Sequence, residues 1–336
     1  MLRSHAILAA VLLSGLAIQV HAANSAGIPD TLRQQAAAGD AKAQVALGHA
    51  LQDDGVEGDK SASADWYRKA AAQGNAEGAW LLGSMYMAGV GIDRDTAMAI
   101  DWMRKSVMLD HDPDHMASLA FAMLVGGDKQ GAMQWARQAA DKGSVKGMEL
   151  LAMSYGFGQM GLSKDPAAAE HWLLVAVQKG DPGAEAMLGN FYLSGLLGQA
   201  NVESGIHWLQ AAADGGDANA AGMLGSLYIT GKQGVPVDGQ RGVQLARKAL
   251  AANDVLGHYA IGVAYETGTG IEKNPEQAWY HLAVAERMDN QHQLKSVADY
   301  MSKAATQLSP EQLNELRSKV DHDVAAASKG EGHAAG

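Results

Sequence analysis

No cysteine occurs in the 336 residues. That absence excludes a disulfide framework and a lipid-attachment cysteine. It is compatible with export to an oxidising compartment, because a chain without thiols cannot mispair them. Clustered basic residues are missing too. Lys and Arg are scattered in short steps such as "WYRKAA" and "QLARKAL", against a formal net charge of -11. Without a basic stripe to neutralise phosphates, the chain does not read as a nucleic-acid binder or as an electrostatic partner of anionic lipid. Diagnostic catalytic patterns are also lacking. No G-x-S-x-G appears, and neither GxG pair, Gly89/Gly91 or Gly268/Gly270, is followed by a Lys-Ser or Lys-Thr step. No catalytic residue, metal ligand or cofactor is expected.

Only the first segment is strongly apolar. "MLRSHAILAAVLLSGLAIQVHA" has Arg3 near its start, an apolar stretch from Ala6 to Ile18, and Val20-His21-Ala22 before Ala23. A basic start, a short apolar core and small residues at minus three and minus one have the form of a secretory signal cleaved after Ala22. The stretch is short for a membrane span, and an uncleaved anchor is the alternative. Cleavage would leave 25 basic against 37 acidic residues, a charge of -12. The reading is a periplasmic or secreted protein with no integral membrane span in its mature form.

What the chain does contain is a repeat. The phrase LGxxYxxG occurs at Leu82-Gly83, Leu188-Gly189 and Leu224-Gly225, with a close variant at Ile261-Gly262 and degenerate copies at Leu47, Leu119 and Leu151. A second marker is the Trp of "WYRKAA", at Trp66, Trp102, Trp135, Trp172 and Trp208, with Leu245 and His281 in the same place later. Successive spacings are 36, 33, 37, 36, 37 and 36. This regularity predicts seven stacked repeats, each a pair of helices, A with Leu-Gly-x-x-Tyr and B with Trp and the alanines. Helix B is expected to start at a capping residue plus proline, as at Asp165-Pro166 and Asn274-Pro275, and to end on a left-handed glycine at Gly74, Gly143, Gly180 and Gly215. The Trp is expected to fill the seam between helices, burying on the order of 150–250 Å².

"LGSMYMAGVGI" and "WYRKAAAQG" resemble the Sel-one-like repeat, a branch of the tetratricopeptide superfamily, over roughly residues 40–290. The match is looser in the third repeat, whose connector shortens to "GGDKQG". The resemblance implies an all-α fold: a right-handed α-solenoid superhelix of antiparallel helix pairs. It also implies a job as adaptor or scaffold. A cysteine-rich bacterial subgroup is associated with penicillin-like compounds. The lack of cysteine here means that this activity is not carried over. Residues 23–39 read as an N-terminal segment with a capping helix, and 291–326 as C-terminal capping helices, the second opened by a capping box at Ser309 and Gln312. Residues 327–336 read as a disordered tail.

Candidate sites follow from helical geometry. Positions minus three, plus one and plus four from the LG glycine share the side of helix A opposite the core, at about 60°, 100° and 40° on the wheel. Their apolar members, with polar punctuation, suit a partner protein or peptide of unknown identity: Trp80, Ser84, Met87, Phe121, Met153, Asn190 and Tyr259. The alternative is that these residues pack between neighbouring A helices. His111 and His115 flank Pro113, which reads as a capped helix start and not as a metal site. His171 and His207 each precede a repeat Trp and read as outer-face residues. Two other functions stay open: a cell-envelope enzyme or binder of cell-wall fragments or β-lactams, and an architectural spacer with no defined ligand.

Overall fold

The computed structural model describes residues 28–53, 57–289, 294 and 296–328. Among them are seventeen α-helices, one 3-10 turn and no strand. None of these helices is long and apolar enough to cross a membrane. The expected leader, residues 1–22, lies outside the described residues, as does the tail from 329 onward.

The helices group into two compact units, up to Lys179 and from Gly180. The N-terminal unit holds α1 (Asp30–Ala37) and four A–B pairs: α2 (Ala41–Asp53) with α3 (Glu57–Ala72), α4 (Ala76–Ala88) with α5 (Thr96–Asp110), α6 (Pro113–Val125) with α7 (Lys129–Asp141), and α8 (Val145–Phe157) with α9 (Pro166–Val177). The C-terminal unit holds three pairs and two further helices. The pairs are α10 (Pro182–Ser194) with α11 (Val202–Asp214), α12 (Ala218–Thr230) with α13 (Gly239–Ala251), and α14 (Val255–Thr267) with α15 (Pro275–Met288). They are followed by α16 (Val297–Ala305) and α17 (Pro310–Ser328). Within each unit an A helix packs on its own B helix and on the helix before it.

Helix starts are set by one residue with two tasks. Asp95, Asp165, Asn201, Asp238 and Asn274 each accept a bond from the amide three residues on, at 3.0–3.1 Å. Each also donates its own amide to the carbonyl of the preceding repeat Tyr: Tyr86, Tyr155, Tyr192, Tyr228 and Tyr265, at 2.9–3.1 Å. The cap thus satisfies a free helical amide and closes the connector with the same residue. Asp128 does the same across the short third connector, bonding the Met123 carbonyl and the Gly131 amide. Ser309 and Gln312 form the reciprocal pair of a capping box. Helix ends follow expectation at Gly74, Gly143 and Gly180, with φ of 82°, 92° and 74°. The fourth differs: Gly215 stays right-handed at -69° and Gly216 takes the left-handed turn at 100°.

The core lies where the LG leucine points. Leu47, Leu82, Leu119, Leu151, Leu188 and Leu224 are at most 1% exposed, and Ile261 2%. Small residues let one A helix touch two B helices. A Cβ at Gly78 would lie 2.9 Å from the Ala70 methyl on α3, whereas one at Gly83 would lie 3.1 Å from the Ala99 carbonyl on α5. The Trp expectation needs correction. Trp66, Trp102, Trp135, Trp172 and Trp208 are half-buried. The residue after each is the buried one: Tyr67, Met103, Ala136, Leu173 and Leu209, followed in the later repeats by Ala246 and Leu282. The indoles lie on the flank, where Lys69 and Lys105 cover Trp66 and Trp102 at 3.8 Å from the ring centroid.

The ends are closed by helices of lower apolar content. α1 packs Ala36 with Ala43 and Leu47, and Gln44 of α2 bonds the Ala36 carbonyl. α17 packs on α15, and the Tyr280 phenol donates to Asp323 at 2.6 Å. Helix α17 runs through Ser328, so residues 327 and 328, expected in the tail, are helical. Leu209→Ala is expected to cost about 2–5 kcal/mol in urea unfolding followed by far-UV circular dichroism. Trp208→Ala should cost less. A larger loss from the tryptophan would place the core on the wrong residue.

Candidate functional site

The open face of the A helices is narrower than the wheel suggests. Position plus four is buried in most repeats, as at Met87 (8%), Leu124, Leu193 and Ile229. The reason is local. Leu193 and Ile229 reach under the first turn of their own B helix, where Gly205 and Gly242 receive them. A Cβ at Gly242 would come 2.8 Å from Ile229. Position plus one is half-buried at His49, Ser84, Phe121, Asn190 and Ser226. It is closed at Met153, 1% exposed, and at Val263, also 1%. Met153 is carried by α8, a helix against which α6 packs directly. Of the seven candidates, Trp80, Ser84, Phe121 and Asn190 are half-buried and reach the surface, whereas Met87, Met153 and Tyr259 are buried.

In the N-terminal unit, Trp80 stacks on His115 with centroids 5.0 Å apart and planes at 21°. His115 stands where other repeats carry Gly78, Gly147 or Ala184, so a ring occupies space that is empty elsewhere. Its Nδ1 is 2.7 Å from Asp110 and 3.0 Å from Ser106 Oγ, whose own hydrogen goes to the Ala76 carbonyl. Nδ1 is thus the donor, and the ring is locked. The Trp80 Nε1 is enclosed with no acceptor among the described residues, so this side chain offers its ring and not its N–H. Ser84 donates to the Trp80 carbonyl, which leaves its hydroxyl only as an acceptor. On the next A helix toward the N-terminus, His49 bonds Tyr67 and lies 3.8 Å from Glu77, holding that carboxyl below its ordinary range.

The C-terminal unit carries a cleft of about 480 Å³ beside α12 and α14. Ser226 and Tyr259 line it from the A helices, Lys232 and Gln233 from the 3-10 turn Lys232–Gly234, and Leu294 and Ser296 from the segment before α16. Tyr259 is 6% exposed, and its hydroxyl bonds Ser296 while burial pushes the phenol up. The repeat pattern could not reveal this cleft, since Lys232, Gln233, Leu294 and Ser296 of its lining come from outside the repeated positions. Nearby, His258 and His281 meet with Nδ1 atoms 3.2 Å apart, and Tyr265 stacks on His281. Such a contact needs one ring to donate from Nδ1 and the other to accept there, so when both rings are neutral they are opposite tautomers. Burial pushes His258 down to about 4. At His281, burial, His258 and Lys319 together bring it to about 3.

The remaining candidates are structural. His111 is the left-handed C-cap of α5, at φ 55°, and Asp112 caps α6. His171 and His207 are exposed, each edge-on to its neighbouring Trp. Gly89, Gly91, Gly268 and Gly270 are left-handed connector residues. Among the described residues, no three His, Asp or Glu side chains converge as a metal site would require.

A profile of the Sel1 repeat matches residues 41–75, 76–111, 122–144, 145–181, 182–217, 218–254 and 255–290. The chain belongs to the Sel1 repeat family. The third Sel1 match is the short one, in the repeat with the shortened connector. Sel1 repeats form helical solenoids that typically act as protein-interaction scaffolds. Among solved structures, the chain is similar to c5321, a protective antigen present in uropathogenic Escherichia coli strains and displaying an SLR fold. The TM-score is 0.59 and the identity 25%, over 90% of this chain and 65% of that one. It is also similar to a Sel1 repeat protein from Oxalobacter formigenes, with TM-score 0.51 and 31% identity, over 64% of this chain and 89% of that one. The ERAD-associated E3 ubiquitin-protein ligase component HRD3A of Arabidopsis thaliana is 36% identical over 69 residues, 20% of this chain. An uncharacterised protein of Neisseria meningitidis serogroup B is 30% identical over 129 residues, 38% of this chain. The chain spans 10% and 19% of the length of these two curated relatives.

The histidine pair makes acid stability predictable. Folded values lie below the ordinary 6.5, so the unfolded chain binds protons first as pH falls. The stability is fully present above pH 6.5 and is lost as pH drops toward 4. The unfolding midpoint of the C-terminal unit should be lower at pH 5 than at pH 7.5, and His281→Phe should flatten that difference. An unchanged pH slope in the variant would remove the pair from the account.

Proposed function

We propose that this chain is an exported, non-enzymatic adaptor that holds a protein or peptide partner on the open face of its A helices. The observation that carries the reading is the locked Trp80–His115 stack between α4 and α6, with Phe121 half-exposed at position plus one of α6. Rigid aromatic surface is the commonest anchor of protein interfaces, because it buries much area while losing little side-chain freedom. Stacking of the helix pairs fixes these rings before any partner arrives, and this lowers the ordering cost of binding.

Export is supported by Arg3, the apolar stretch from Ala6 to Ile18 and the small residues Val20 and Ala22, together with the absence of cysteine. A non-enzymatic role is supported by the family's general use as scaffolds. Recognition through the aromatic rings is supported by the internal engagement of three cations, Lys69 and Lys105 on tryptophan rings and Arg68 with Asp65.

Crosslinking in intact cells, with photoreactive groups placed next to Trp80 and Phe121, should capture a discrete partner. Trp80→Ala with Phe121→Ala should weaken the capture by about tenfold or more while helicity stays unchanged. Full capture by the double variant would refute this location. Sequencing the N-terminus of the protein recovered from cells should give Ala23 as the first residue; an intact Met1 would contradict cleavage.

A further inference from the structure

The cleft of the C-terminal unit combines an apolar floor with one cation, Lys232, that has no ion-pair partner among the described residues. Leu227, Leu256 and Leu294 form apolar wall, with the Tyr259–Ser296 hydroxyl pair set into it. Its size, about 480 Å³, lies within the range of ligand-holding pockets, about 300–1,000 Å³. One side is open, where Lys232 and Gln233 are exposed.

Lys232 does not hang from a free loop. The turn that carries it holds Gln233 at φ 55° and Gly234 at φ 77°. Val235, 2% exposed, pins the turn to the core, and its amide bonds the Lys232 carbonyl at 3.1 Å. A non-glycine residue in the left-handed region costs of order 1 kcal/mol and persists only where its surroundings impose it. The result is a backbone that presents Lys232 at the lip of the cleft. Among the described residues Lys232 has no ion-pair partner, although the chain has 37 acidic residues against 26 basic ones. Repulsion of an anionic ligand by the net charge of the chain is largely screened beyond about 8 Å at physiological salt, whereas a direct pair with Lys232 falls within that distance and is only weakened.

We infer that this cleft takes an extended segment of a partner protein in which a bulky apolar side chain lies next to a carboxylate. The apolar side chain fills the space beside Leu227, Leu256 and Leu294, and the carboxylate pairs with Lys232. A peptide is favoured over a small free molecule because the open side would leave a compact ligand in water, where such ligands normally bury most of their surface. The inference shares with the proposed function only the reading of the chain as an interaction protein. It does not depend on Trp80 or Phe121.

The test is selection from a random peptide display library against the full chain, with the selected peptides then synthesised and titrated. Selected sequences should carry Phe, Leu, Met or Trp within two residues of Asp or Glu. Lys232→Glu should weaken them by about fivefold or more, the scale of one favourable exposed ion pair reversed. Ser226→Trp, which fills the cleft, should abolish binding, and Trp80→Ala should leave it unchanged. Lys232 is exposed and outside the packing, so the Lys232→Glu titration decides the matter even if Ser226→Trp disturbs folding. No selected binder, a consensus without acidic residues, or equal affinity for the Lys232→Glu variant would overturn the inference. Loss of binding in Trp80→Ala alone would place the peptide on the N-terminal unit instead.

Discussion

The structure depends on the contact between a buried aliphatic side chain on each A helix, leucine in six repeats and Ile261 in the last, and the B helices beside it. Leu224 shows the arrangement: it shares one cluster with Leu209, Ala212 and Ala213 of α11 and with Leu245 and Ala249 of α13. Burying such a side chain contributes about 1.5–3 kcal/mol before entropy is counted. That gain requires the helices to come close, which is why alanine and glycine surround the leucine. At Gly225, a Cβ would be 2.9 Å from both the Ala246 amide and the Gly242 carbonyl. No helix pair can close this core alone, so each repeat within a unit borrows a wall from its neighbour.

This constraint explains which positions are left for function. The side of the A helix facing its own B helix is committed to packing, and position plus four is drawn under the next first turn at Leu193 and Ile229. What stays partly open is position plus one at His49, Ser84, Phe121, Asn190 and Ser226, whereas Met153 and Val263 close it in the other two repeats. The two units differ further. In one, His115 replaces a small residue and stacks on Trp80. In the other, Leu256 lies against Gly222 so that α12 and α14 touch, and the cleft forms beside them.

Most of the fold was legible in the sequence because it repeats. The spacing of Leu-Gly and Trp located the seven pairs, and Asp or Asn before proline marked the starts of helix B at residues 166 and 275. Periodicity misled in two places. Trp is the most visible marker of the repeat, yet the residue after it fills the core, since a large indole fits at the flank and a lysine covers its face. A helical wheel treats the side opposite the core as open, which overlooks adjacent A helices and buried Met153. The sites were less legible for a related reason. The cleft takes lining from Lys232, Gln233, Leu294 and Ser296, which obey no period. The histidine pair was visible only as His281 standing where other repeats carry tryptophan or leucine.

The central claim is that neighbouring helices within a unit hold one another through the LG leucine. Amide hydrogen exchange on Leu224→Ala tests it most directly. Protection should fall together in α11, α12 and α13, because one removed side chain opens the walls of both flanking helices. Loss of protection confined to α12, with α11 and α13 exchanging as in the parent chain, would contradict the account.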